Sequence, residues 1–160
     1  MNKKTLAATA ASVAATAVTG SRASRTRSAA WYARLRKPAY VPPGGVFPIA
    51  WTTLYADIAV TSAAALDRWR AEGDTAKVRG FVAALAVNLA LNAGWSWLFF
   101  RYHRLGWSAI GAGALTASSA DLVRRVGEAD GRAGVALLPY PLWCAFATVM
   151  STDIWRRNRR

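Results

Sequence analysis

Apolar residues fall into five runs along the chain, separated by short basic connectors. The runs cover residues 6–20, 47–66, 80–100, 105–120 and 133–152. The third carries no charge over 21 residues, against the roughly 20 a helix needs to cross a bilayer. None alternates with period two, and the long runs exceed the roughly ten residues of a barrel strand. Helices are the other backbone that satisfies its own polar groups in lipid. The pattern predicts an all-α integral membrane bundle of five transmembrane helices in one domain, residues 1–160. Approximate helices are 5–21, 47–66, 79–101, 105–123 and 133–155. The first run also fits a signal peptide, with its basic start and short apolar core, and the run alone does not decide between the two.

Residues 22–46 join the first two runs. Pro38, Pro42, Pro43, Gly44 and Gly45 forbid a continuous helix through the second half of this connector. It also carries Trp31, Tyr32, Leu35 and Tyr40. Such residues call for packing, so we expect an ordered lid over the bundle. In the fifth run Pro139 and Pro141 are compatible with a spanning helix if neighbours satisfy the freed carbonyls.

Charge sharpens this picture. The chain has a formal net charge of +13, yet 54% of its residues are hydrophobic and eight are Trp. A nucleic-acid binder would not separate its bases with membrane-length apolar runs. The partner implied is the lipid bilayer, with basic loops near anionic headgroups. The lid, the loop at 101–104 and the tail carry more Lys and Arg than the opposite ends. This bias places the lid and the C-terminus in the cytoplasm of a multi-pass protein. Abundant Arg and Ala suggest a GC-rich bacterial genome, hence the inner membrane. One Cys, Cys144, and one His, His103, build neither a disulfide, a metal site nor a nucleophile–base pair. Asp57 lies well inside the second run with no evident partner. Asp121 reads as a cap or ion pair near a membrane edge, and Asp153 as a partner of the basic tail.

The third run has two faces. Asn88, Asn92, Trp95 and Phe99 follow helical spacing on one side. Ala86, Ala90 and Gly94 lie on another, about 200° round. The small face allows close helix approach and suggests a homodimer. An amide in lipid needs a partner, so the asparagines face inward. They serve either as interhelical glue or as a polar anchor in an aromatic pocket. Trp51 and Tyr55 lie four apart on the second run, and Trp143 and Ala147 four apart on the fifth. Converging aromatics with few polar groups suit a flat, mostly apolar ligand.

Four motifs then carry a resemblance. WYARLRKPAYVPP (31–43), VFPIAWTTLY (46–55), LNAGWSWLFF (91–100) and LPYPLWCAFAT (138–148) occur in order. At these residues the chain resembles the TspO/MBR family of translocator and tryptophan-rich sensory proteins. The resemblance implies a five-helix bundle, often dimeric, with a retained first helix. It implies binding of porphyrins and haem, of benzodiazepine-type drugs, and of sterols in animal members. It places Trp51, Asn92, Trp143 and Ala147 in a pocket, joined on the residue reading by Tyr55 and Trp95, with Tyr32 and Pro42 in the lid. No cofactor is obligatory; porphyrin or haem is the expected ligand. Departures are Asn88 for the family's Gln, Tyr40 for its loop Trp and Ser151 for its late Asn. The family's tyrosine-bearing sterol motif is missing, which weakens a sterol role more than a porphyrin role. Light-dependent porphyrin breakdown and stress signalling through a partner protein are the alternatives.

Overall fold

The computed structural model describes residues 1–24 and 27–159. Among these, every regular element is helical. They are α1 (Lys3–Ala23), α2 (Arg27–Arg34), α3 (Val46–Ala71), α4 (Thr75–Ser96), α5 (Leu105–Ala129), α6 (Gly131–Ala136) and α7 (Pro139–Asn158). α4 continues into a π turn, Trp97–Arg101. The spans Val46–Ala71, Thr75–Arg101 and Gly131–Asn158 are long and apolar enough to cross a membrane. With α1 and α5 they make a five-helix membrane bundle, with α2 lying in the lid.

The helices outrun the apolar segments, because polar side chains extend them at the ends. Asp74 caps α4, its carboxylate accepting from the Lys77 amide at 2.9 Å. α3 runs on through the Arg68–Glu72 pair at 2.7 Å. α5 runs on through Asp121, paired with Arg124 and Arg125 as expected of a carboxylate near a membrane edge. The fifth helix is two pieces. Asp130 accepts from the amides of Arg132 and Ala133 to start α6. The chain then breaks at Leu137–Leu138, and Pro139 opens α7 where its missing N–H costs nothing.

α5 packs most extensively on α7, α4 lies against α5 and α1, and α1 lies against α3. In lipid, apolar burial gives helices little reason to associate, so close packing and hydrogen bonds must hold them. Both are present. Thr9 Oγ1 donates to the Ala59 carbonyl at 2.9 Å, tying α1 to α3. Thr116 and Thr148 hydroxyls meet at 3.0 Å between α5 and α7. Gly134 packs so close to α5 that a Cβ there would stand 2.6 Å from Gly127 Cα. One core cluster fills the end away from the lid, around Trp69, Phe81, Leu122 and Val126. A second lies under the lid, around Trp95, Phe99, Met150 and Ile154.

Candidate ligand pocket under the lid

The lid is held at three places. Its helix α2 presents Trp31, Tyr32 and, just beyond, Leu35 to the π turn. Trp31 meets Phe99 edge-on, with ring centres 5.7 Å apart, and stacks on His103 at 3.9 Å. His103 is exposed and has a left-handed φ of 53° that strains a residue other than glycine. Further on, Tyr40 donates to Asp153 Oδ2 at 2.8 Å. Asp153 therefore receives the lid, and it makes no ion pair with the tail among the described residues. Last, the Asn158 amide reads the backbone of Arg36. Its Oδ1 accepts from the Arg36 N–H at 3.1 Å, and its Nδ2 donates to the Arg36 carbonyl at 3.0 Å. Burial pushes the Tyr32 phenol above its usual pKa. Burial, then the Asp153 acceptor, does the same to Tyr40.

The π turn explains why α4 ends as it does. Tyr102 N–H bonds back to the Trp97 carbonyl at 2.9 Å, a five-residue step. The extra residue rotates Phe99 and Phe100 relative to an ideal helix. Both then point at the space beneath α2, with ring centres 4.8 Å apart.

That space is a cavity of about 370 Å³, partly open to its surroundings. Its aromatic walls are Trp51 and Tyr55 from α3, Trp95, Phe99 and Phe100 from α4 and its π turn, and Tyr32 from the lid. Phe47 and Pro48 close the α3 end, and Gly44 adds lid backbone. The remaining wall comes from the end of α1, where Ala17, Gly20 and Ser21 are small enough to leave room. Gly20 is also where α1 touches α4; a Cβ there would meet Ser96 Oγ at 3.2 Å. Among the lining residues there is no carboxylate, imidazole, thiol or amine. The cavity therefore offers stacking faces and a few hydroxyls, in the volume range of small-molecule sites.

Four of the expected residues, Trp51, Tyr55, Trp95 and Tyr32, share this wall. Asn92, Trp143, Ala147 and Pro42 do not line it. Asn92 is only 2% exposed, and both polar atoms of its amide are hydrogen-bonded within the bundle. Tyr55 OH donates to Asn92 Oδ1 at 2.8 Å. Asn92 Nδ2 donates to the Tyr140 oxygen at 3.3 Å. Tyr140 OH donates to Asn88 Oδ1 at 2.7 Å, and Asn88 Nδ2 donates to Ser118 Oγ at 3.1 Å. This relay crosses α3, α4, α7 and α5. Both asparagines act as interhelical glue, and Tyr55 carries the relay out to the cavity. Trp143 stands one layer behind, edge-on to Phe47 at 6.0 Å, and Ala147 is buried in α7.

Sequence reasoning missed the α1 wall, Phe47, Phe100 and Met150 as lining residues. Phe47 was the one with a signal, lying one turn before Trp51. The expected dimer face behaves differently. Ala86 and Ala90 are exposed, and a Cβ added at Gly94 would meet nothing within 4 Å, so this stripe faces outward. No group of three or more His, Cys, Asp or Glu that could hold a metal occurs among the described residues.

Comparison with known proteins agrees with the motifs. The model of the TspO/MBR family matches residues 7–156. Protein CrtK of Rhodobacter capsulatus is 35% identical over 129 residues, covering 81% of this chain and 79% of its own. The translocator protein of Ovis aries is 32% identical over 133 residues, covering 81% and 75%. The tryptophan-rich sensory protein of Cereibacter sphaeroides is 32% identical over 128 residues, covering 80% and 77%. With the match spanning nearly the whole bundle, this chain belongs to the TspO/MBR family.

Proposed function

We propose that the protein binds a flat, largely apolar molecule, a tetrapyrrole such as porphyrin or haem, in the cavity beneath the lid. The observation that carries this reading is the aromatic wall assembled from α3, α4 and the lid. Stacking and burial supply the affinity. At about 370 Å³ the cavity is near the small end for ligand sites, so a tetrapyrrole's edge reaches the rim. There the arginines of the lid and Arg101 meet its propionates. Relatives named translocator and sensory proteins are compatible with such a ligand being moved or sensed. The test is extraction in mild detergent from cells making tetrapyrroles. The reading expects a pigment that co-purifies and shows a porphyrin absorbance band; colourless protein that also fails to take up added porphyrin contradicts it.

Trp51 and Trp95 both flank the cavity, which favours a second reading. An excited bound ring could take an electron from either indole, leaving an indole radical cation and a ring radical anion that dissolved dioxygen, as the oxidant, would convert to a ring-opened product. Illumination of the complex separates the two readings: a product absent from free porphyrin supports breakdown, and bleaching identical to free porphyrin removes it. The outward stripe of Ala86, Ala90 and Gly94 is proposed as the homodimer face. The inner membrane, with lid and C-terminus in the cytoplasm, is the proposed setting.

A further inference from the structure

Charge is divided unevenly between the two ends of the bundle. Every ion pair among the described residues lies away from the lid, on Arg68, Lys77, Arg124 and Arg125. The lid end is richer in arginine, and Asp153 is its one acidic residue in the sequence. That carboxylate is taken by Tyr40. Among the described residues no arginine there makes an ion pair, which leaves these guanidinium groups open to an anion from outside.

A groove on the outer face of α5 and α7 shows where. It is lined by Gly106, Trp107, Ala109, Ile110, Thr152 and Trp155, with a volume of about 410 Å³. Trp107 and Ile110 are each 64% exposed, large apolar surfaces on the outside of a membrane bundle. Gly106 lets the groove floor lie close against Trp155, whose Nε1 would be 3.2 Å from a Cβ there. The lid-side mouth is cationic. Arg159 lies over the Trp155 ring at 5.2 Å, Arg156 follows Thr152 by one helical turn, and Arg104 immediately precedes α5. An apolar slot opening at an interfacial Trp onto exposed guanidinium groups has the polarity of one amphiphile with an anionic head.

We propose that this groove holds a phospholipid with an anionic headgroup, its phosphate among Arg156, Arg159 and Arg104 and an acyl chain along Ile110 and Thr152. The site shares no lining residue with the cavity under the lid. The occupant is a bilayer lipid because the slot is apolar along its length and charged only at headgroup depth.

Native mass spectrometry and thermal unfolding of the full chain test this, in neutral detergent titrated with phosphatidylglycerol or phosphatidylcholine. Wild type should retain one phosphatidylglycerol per chain and unfold at a higher temperature with it than with phosphatidylcholine. R104Q/R156Q/R159Q, altered only at exposed residues, should keep its melting point in phosphatidylcholine and bind phosphatidylglycerol about tenfold more weakly or worse. Ala109→Phe fills the groove without changing charge and should also release the lipid. Equal retention of the two lipids overturns the proposal. So does full phosphatidylglycerol binding by both variants, since diffuse attraction would survive a filled groove. Protection by inorganic polyphosphate equal to that by the lipid would make the surface a site for a soluble polyanion instead. Disulfide cross-linking of lipid-free Ile110→Cys chains would assign the groove to a second copy.

Discussion

The phenol of Tyr55 and the amide of Asn92 meet at 2.8 Å, joining the cavity wall to a relay that runs through Tyr140 and Asn88 to Ser118. In this position Asn92 both accepts and donates, while Tyr55 only donates. The two should therefore differ on mutation. Tyr55→Phe removes one bond and should lower unfolding free energy by about 1 kcal/mol, within the range of interhelical bonds in membranes. Asn92→Ala removes two bonds and leaves the Tyr55 hydroxyl without its acceptor, and should cost about 2–3 kcal/mol. Reversible unfolding in mixed micelles measures both; equal losses would mean the relay does not act as a unit.

The close approach of α5 and α6 gives a second expectation. Gly134→Ala puts a Cβ 2.6 Å from Gly127 Cα, where only backbone is available to yield. It should destabilise the bundle by about 1–3 kcal/mol, as overpacking does. Gly131→Ala meets nothing within 4 Å and should be neutral in the same assay.

The lid anchors predict local rather than global effects. Tyr40→Phe and Asn158→Ala each remove one tether and should speed amide exchange in residues 31–45 while leaving α5 and α7 unchanged. Tyr40 and Tyr32 both have phenols raised above the usual 10.0. A raised folded pKa means that the neutral form stabilises the docked lid. That stability is complete below pH 10 and is lost as pH climbs through the raised values. Lid protection factors, taken relative to the intrinsic base-catalysed exchange rate, should therefore be flat through neutral pH and fall only above about pH 10. A fall on acidification to pH 6 would point to another group.

Much of this architecture is readable in the sequence, for particular reasons. The uncharged run at 80–100 can only be a spanning helix, and the prolines at 38, 42 and 43 can only interrupt one. Helix ends were harder, because Asp74 and the Arg68–Glu72 pair extend helices into charged sequence. Helical spacing placed Asn92 on the inward face but said nothing of depth, and a hydroxyl from Tyr140, 48 positions along the chain, captured its amide. Periodicity also assumes a constant turn. The π turn from Trp97 breaks that assumption and brings Phe100 into the cavity. Ala17, Gly20 and Ser21 line the cavity by being small, and small residues in an Ala-rich helix give no pattern to read.

The outward stripe of α4 predicts association. Ala90→Leu or Gly94→Leu should shift the protein toward monomer in detergent, read by cross-linking or sedimentation. Since a Cβ at Gly94 meets nothing within 4 Å, the monomer's melting point should hold. Unchanged cross-linking would move the interface elsewhere.

Protoporphyrin titration, followed by quenching of tryptophan fluorescence, tests the pocket most directly. Trp51→Ala and Trp95→Ala remove cavity wall and should each weaken binding by tenfold or more, about 1.4 kcal/mol or above. Trp143→Ala is outside the cavity wall and touches it through Phe47, so it should weaken binding less. Wild-type affinity in both Trp51→Ala and Trp95→Ala would contradict a ligand site beneath the lid.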